Sequence, residues 1–260
     1  MIALIDADSL LYLATYKLDD AEFIESKGLS HLEGDDLHAS LAEFGADRLE
    51  VMIQDILSDI ASDENNIEIS GVELYVTNCK NSIRKKVSAE YKSNRKPNPI
   101  VNHLRAMYIF KSDAICHDEY EADDLIADRA KELGEYNCIV VTMDKDLNQI
   151  GGFIYNYYRK PSLKDEEGNV IEEYPRKGLM YFGKFEAAKF LAKQMLVGDS
   201  GDVVKGLPKY GEKKAEKVLD GIKTIFGLKR AIISEYKNVY GEQYIEPLQL
   251  NFRLLYLGKY

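Results

Sequence analysis

The chain predicts an α/β fold, a parallel sheet with helices on both faces. Three observations predict it: short apolar or β-branched runs of strand length, apolar stripes at helical spacing between them, and regular alternation of the two. IALI (2–5) has no polar position, so it reads as a strand buried on both faces. Ser9 to Leu18 reads as helix. Asp36 to about Ala61 is a longer helix, with Leu37, Leu41, Phe44, Met52, Ile56 and Ile60 on its core-facing stripe. VELYVT (72–77) is the second strand, Glu121 to Leu133 the next helix, NCIVVT (137–142) the third strand and FIYNYY (153–158) a fourth. Residues 162–177 read as a polar hairpin around Gly168-Asn169, and the chain is helical by pattern from Gly183 onward. The expected division is a core over 1–182 and a helical region over 183–260.

With 260 residues the chain can bury a substantial core. No apolar run approaches membrane-spanning length, and MIALID is strand-like rather than a signal segment. The expectation is therefore a soluble, cytoplasmic protein without a membrane partner. Three cysteines without CxxC spacing suggest neither a disulfide framework nor a thiolate metal site, and the four histidines lack HExxH or paired spacing. No GxGxxG follows the first strand, which argues against a nucleotide-binding dehydrogenase.

The net charge of −10 argues, as an average, against a polyanionic partner. Its distribution argues the other way. Residues 1–70 carry 17 acidic against three basic residues, whereas 78–96 carries seven basic residues and only Glu90. A second stretch, 205–217, has five lysines against two glutamates.

Eight acidic residues fall in four clusters: Asp6; Glu121, Asp123 and Asp124; Asp144 and Asp146; Asp199 and Asp202. In open α/β sheets sites form beyond the carboxyl ends of the strands, where Asp6 and the Asp144–Asp146 pair should emerge together. Glu121 and Asp124, three apart on a helix, share a face, although acids in a first turn also serve as caps. Asp199 and Asp202 sit in GDSGD (198–202), which could equally be an ordinary turn. Carboxylates that converge repel one another, and hard divalent cations are their natural counter-charge. After GDSGD, G-L-P-x-x-G-x-K-K-A resembles a helix–hairpin–helix element that offers backbone N–H groups and lysines to DNA phosphates.

Taken in order, LIDADSLLY (4–12), RKKVSAEYKSNRK (84–96), YEADDLIAD (120–128), VTMDKDLNQI (141–150) and GDSGDVVKGLPKYGEKKAEKVL (198–219) resemble the 5′ nuclease superfamily of flap endonucleases and 5′–3′ exonucleases. The likeness is strongest to its free-standing bacteriophage members. It implies a PIN-like core, a helical arch from the basic segment (about 78–100), and a C-terminal helix–three-turn–helix. It also implies two Mg²⁺ ions, with Mn²⁺ able to substitute, one site from Asp6, Glu121, Asp123 and Asp124 and the other from Asp144, Asp146, Asp199 and Asp202. Lys92 and Arg95 fall at positions that contact the scissile phosphate, with Arg84 in support. Lys85, Lys86, Tyr91, Lys96, Lys205, Gly206, Lys209, Gly211, Lys213 and Lys214 are the implied DNA-binding set, Tyr91 by stacking on a 5′ base or else as a buried structural tyrosine. The family's hairpin can also hold K⁺ through backbone carbonyls. The implied partners are DNA with 5′ ends, flaps or nicks, RNA–DNA hybrid and replication proteins, with a monomer as the default state.

The chain departs from the family pattern twice. VTNCKNSIR places Asn78 where many members have an aspartate after the second strand, and Lys209 and Tyr210 replace a glycine and an aliphatic residue in the hairpin. A nuclease-inactive DNA-binding replication scaffold and a PIN-type ribonuclease stand as the alternatives.

Overall fold

The computed structural model describes residues 1–62, 67–79, 82–111, 114–160, 162–164, 170–172 and 174–259. Its centre is a sheet of strands β1 (Ile2–Asp6), β2 (Gly71–Tyr75), β3 (Cys138–Val141), β4 (Gly152–Arg159) and β7 (Arg176–Phe182), in the order β2-β1-β3-β4-β7. The first four run parallel, and β7 is antiparallel to β4. The antiparallel edge corrects the expectation of an all-parallel sheet, and it takes Arg176 and Lys177 out of the expected 162–177 hairpin. Residues 163–164 (β5) and 170–172 (β6) do pair antiparallel, while the Gly168-Asn169 turn lies outside the described residues.

Alternation along the strands fills both faces. Ala3, Ile5, Ile139, Val141 and Tyr155 pack with α1 (Ala7–Ala14), α3 (Gly34–Ile60) and α5 (Pro99–Phe110). Leu4, Val140 and Ile154 pack with α6 (Ala122–Leu133) and Leu257. The expected helices recur with small shifts, and two were missed: the short α2 (Ala21–Ser26) and α5. The start of α5 is encoded in P-N-P. The Asn98 side chain accepts from Val101 N–H at 3.2 Å, and Pro99 occupies a first-turn position where its missing N–H does no harm. Among the described residues of the expected arch, helix is confined to α4 (Ile83–Val87) and the first residues of α5, with turns through Asn94.

The C-terminal region comprises α7 (Lys184–Val197), a hairpin of β8 (Gly198–Asp199) and β9 (Val204–Lys205), α8 (Glu212–Leu219), α9 (Ile225–Tyr240) and α10 (Ile245–Leu255). The hairpin corrects the all-helical expectation. Met195, Leu196, Val204, Leu207, Leu219, Tyr236 and Leu254 form its core, and Tyr91 from the basic segment is buried among them.

At the hairpin base two backbones touch. A Cβ on Gly206 would lie 2.2 Å from the Val197 carbonyl carbon and 2.4 Å from the Gly198 nitrogen. Gly206→Ala is therefore expected to cost about 1–3 kcal/mol in thermal unfolding. Gly211→Ala, whose Cβ would meet nothing within 4 Å, should cost less, about 0.5–1 kcal/mol, for the poorer N-cap it gives α8.

Candidate active site

The parallel register levels Ile5 with Val141, so the chain leaves β1 and β3 at the same edge. Asp6 closes β1 and caps α1, accepting from Asp8 N–H at 3.2 Å, while the Thr142 hydroxyl donates to it at 2.8 Å. Thr142 also receives a hydrogen bond from Asp144 N–H at 2.9 Å, and the Asp144 side chain accepts from Asp146 N–H at 2.9 Å. Gln194, buried on α7, donates to Asp146 at 2.8 Å.

A pocket of about 210 Å³ lies at this edge, and Asp6, Asp123, Asp144, Asp146 and Asp202 all line it. Asp8 does as well, so six carboxylates face two cations, Lys92 and Arg95. Burial first, then repulsion from Asp8 and Asp144, pushes the Asp6 carboxyl up to about 7. Burial and the charges of Asp144 and Asp199 push Asp146 up to about 7. Burial also raises Asp123 well above the usual carboxylate range. Among the described residues no three His, Cys, Asp or Glu side chains close on one point as a ready-made cation cage. The donor chemistry nonetheless fits divalent cations: all-oxygen, hard, and short of positive charge.

The remaining acids of the expected set are placed differently. Glu121 lines a neighbouring cavity and takes hydrogen bonds from Lys92 at 2.5 Å, Tyr91 at 3.0 Å and Arg84 at 3.3 Å. Burial pushes Glu121 up, but Lys92 and Arg84 outweigh it and hold it below the usual range. Asp124 is turned away from the pocket. Arg84 grips both its oxygens, and Gly258 N–H donates to it at 3.1 Å. It also forms a reciprocal capping box with Glu121, so both the capping and the clustering readings of this triplet apply. Asp199 braces its own turn, accepting from Gly201 N–H at 2.7 Å and Asp202 N–H at 3.3 Å, with Lys145 at 3.5 Å.

The basic segment reaches these acids from above. Lys92 lies 3.7 Å from Asp202, and Arg95 lies 2.5 Å from it. Burial disfavours the Lys92 charge, but Glu121, Asp123 and Asp202 raise its pKa. Its backbone is left-handed (φ 53°), held there by its N–H donating to Asp202 O at 3.0 Å. Arg84 is 3 % exposed and faces Glu121, Asp124 and the Tyr256 carbonyl rather than a ligand space. Tyr91 is 2 % exposed, and its hydroxyl lies 3.0 Å from Glu121 and 3.1 Å from Asp202, sharing one hydrogen between them, which corrects the stacking assignment in favour of the buried structural one.

Lys85, Lys86 and Lys96 are exposed on or after α4, and Lys86 pairs with Glu119 at 2.5 Å. In the second basic stretch Lys205 lies 3.6 Å from Glu90, Gly206 is packed against α7, and Gly211 precedes α8. Lys213 and Lys214 are exposed in the first turn of α8, with Lys214 3.6 Å over the Tyr210 ring. Lys209 takes a left-handed backbone (φ 65°), which glycine adopts freely and a lysine only with strain.

Sequence reasoning missed Asp8, Thr142, Gln194 and Arg105. Asp8 accepts from Thr77 N–H at 3.2 Å and from Arg105 at 3.2 Å, tying the end of β2 to α5. Its position in LIDAD and the polar Thr142 closing an apolar strand were readable signals; Gln194 and Arg105 had none.

The raised carboxyls set a pH dependence. A carboxyl held above its unfolded value of about 3.9 is protonated preferentially in the folded state. The stability it contributes is present at low pH and lost as pH rises to about 7. Asp59, Glu73 and Glu121, held low, act below that window. In EDTA the melting temperature should therefore fall between pH 5 and 7, and saturating Mg²⁺ should flatten or reverse the slope. Differential scanning fluorimetry across that range measures both.

The family described as "5′-3′ exonuclease, N-terminal resolvase-like domain" matches residues 1–174. Among curated proteins, DNA polymerase I of Streptococcus pneumoniae serotype 4 is 28% identical over 161 residues, covering 54% of this chain and 16% of the polymerase. Flap endonuclease Xni of Shewanella denitrificans is 29% identical over 157 residues, covering 55% of this chain and 57% of the relative. The chain thus spans a sixth to somewhat over half of the length of these relatives. Among solved structures, bacteriophage T5 5′-exonuclease with bound divalent metal ions (zinc) superposes with a TM-score of 0.58 at 15% identity, covering 98% of this chain and 87% of that one. A T5 flap endonuclease complex with DNA and metal ions gives a TM-score of 0.54 at 15% identity, with the same coverage. These likenesses establish the fold, mixed α/β and PIN-like.

Proposed function

Because the chain belongs to the 5′-3′ exonuclease family over residues 1–174, we propose that it is a divalent-metal-dependent, structure-specific 5′ nuclease that hydrolyses phosphodiester bonds near DNA 5′ ends. The observation that carries this reading is a juxtaposition. The pocket of six carboxylates shares Lys92 and Arg95 with a neighbouring cavity, about 630 Å³, where five cationic side chains face two carboxylates. A phosphodiester backbone needs both surfaces at once, one to hold it and one to cleave it.

Asp6, Asp123, Asp144 and Asp146 would hold the ions, with Asp202 and Glu121 within reach. Two Mg²⁺ ions held there would supply Lewis acidity for hydrolysis of the phosphodiester. The chain's own groups do the rest. Thr142 and Gln194 orient Asp6 and Asp146, and Lys92 and Arg95, which line the same pocket, would neutralise charge developing on the scissile phosphate. Residues 183–260 would hold the duplex through Lys205, Lys209, Lys213 and Lys214. K⁺ at the hairpin, primer removal or recombination as the task, replication proteins as partners, a monomeric state and a cytoplasmic location belong to the same proposal.

The experiment is cleavage of a 5′ flap, a nicked duplex and a single strand with Mg²⁺ or EDTA. Mg²⁺-dependent cutting near the junction or the duplex 5′ end supports the reading. A wild type that binds these DNAs without cutting in Mg²⁺ or Mn²⁺ sinks it. One observation favours the scaffold alternative: the end of β2 carries Asn78, a neutral side chain, at the cavity wall. Asn78→Asp restoring cleavage to an inactive wild type would establish it.

A further inference from the structure

The larger cavity is richer in positive charge than holding the scissile phosphate requires. Lys92 and Arg95 already serve Glu121 and Asp202, and Arg105 serves Asp8. Lys85 and Lys96 have no acidic partner among the described residues, although the chain as a whole is acidic. The space is walled by Asp8 and Tyr12 of α1, by Thr77 and Asn78 beyond β2, by Lys85 of α4 and the turns that follow it, by Asn102 and Arg105 of α5, and by Glu121. Arg105 is fixed within it, one guanidinium nitrogen donating to Asn102 at 3.3 Å and another to Asp8 at 3.2 Å. The exposed ring of Tyr12 lines both this cavity and the acid pocket.

We propose that this cavity is a binding site for the terminal 5′-phosphate of the nucleic acid, with Lys85, Lys96 and Arg105 as its anion-binding residues and Tyr12 against the terminal base. The inference rests on the nuclease reading for the identity of the chain that enters. A terminal phosphomonoester carries about −1.5 to −2 charge and three free oxygens, against one charge and two oxygens for a diester. A recess with two unpaired lysines and a pre-oriented arginine discriminates between them in a way that a groove following internal phosphates does not. The site selects strand ends by their chemistry, beyond the geometry of the junction.

The test compares 3′-labelled duplexes with a recessed 5′ end bearing either phosphate or hydroxyl, by fluorescence anisotropy in EDTA at ~0.1 M salt. Wild type should bind the phosphorylated end about tenfold tighter, and millimolar inorganic phosphate should erode the difference. Lys85→Ala combined with Lys96→Ala should bring the ratio of the two affinities close to one while leaving the melting temperature unchanged. Equal wild-type affinities, or a ratio that persists in the double variant, overturn the proposal. Because binding is read without cleavage, the two readings fail separately. Cutting of both ends without a phosphate preference removes only the pocket, and a phosphate preference without cutting removes only the nuclease.

Discussion

Asp6→Asn is expected to lower the rate of Mg²⁺-dependent cleavage by on the order of 10²–10³-fold while raising the melting temperature of the metal-free protein. The opposite signs share one cause. Asp6 is buried beside Asp8 and Asp144, so its charge destabilises the fold unless a cation joins it. An amide keeps the shape and can still accept from the Thr142 hydroxyl, but it carries no charge to repel its neighbours or attract an ion. Melting curves in EDTA and in Mg²⁺ should cross over: the variant is the more stable without metal, the wild type gains more with it. A variant that loses activity and stability together would show that Asp6 is structural.

Arg84→Ala is expected to destabilise the protein by about 3–5 kcal/mol, because it strands the buried Asp124 carboxylate without a counter-charge and leaves Glu121 with Lys92 alone. Glu121 and Asp124 are both buried, and Arg84 also donates to the Tyr256 carbonyl at 2.9 Å. In a chain of this size the loss lowers the melting temperature by roughly 10 °C. Arg84→Lys should recover part of it by charge alone, and adding Asp124→Ala to Arg84→Ala should recover part by deleting the stranded carboxylate. Arg95→Ala, which removes an exposed guanidinium, should leave the melting temperature nearly unchanged. Equal losses for Arg84→Ala and Arg95→Ala in chemical denaturation would refute the assignment of a structural role to the first.

The strands and helices most legible in the sequence were those whose apolar period is uninterrupted: IALI, NCIVVT and the long stripe of α3. Less legible was β7, where R-K-G-L-M-Y-F follows a polar segment and pairs only along one edge of the sheet, so no two-sided burial marks it. Helix α5 was hidden because prolines read as breakers when they stood here at a helix start. In the site, the strand-end rule placed Asp6, Asp144 and Asp146 correctly beside one pocket, since parallel register alone brings them level. Which of Glu121, Asp123 and Asp124 faces the pocket depends on where Arg84 lies, a tertiary contact that no spacing rule reports. Tyr91 was ambiguous for the same reason: its destination is the core of a lobe about a hundred residues further along the chain.

Asp202 receives Tyr91, Arg95 and Lys92 from the basic segment, and the family match stops at residue 174, before it. The protein is therefore poorly modular. A chimaera that joined residues 1–174 to a helical lobe from a distant relative would inherit the strand-end acids, yet Lys92 and Arg95 would lose the carboxylate that positions them. Tyr91 would lose its socket as well. Divergence of the two lobes is tied together at this seam, so changes at 91–95 and at 199–203 are expected to occur jointly, and successful recombinants should be those that exchange both segments at once.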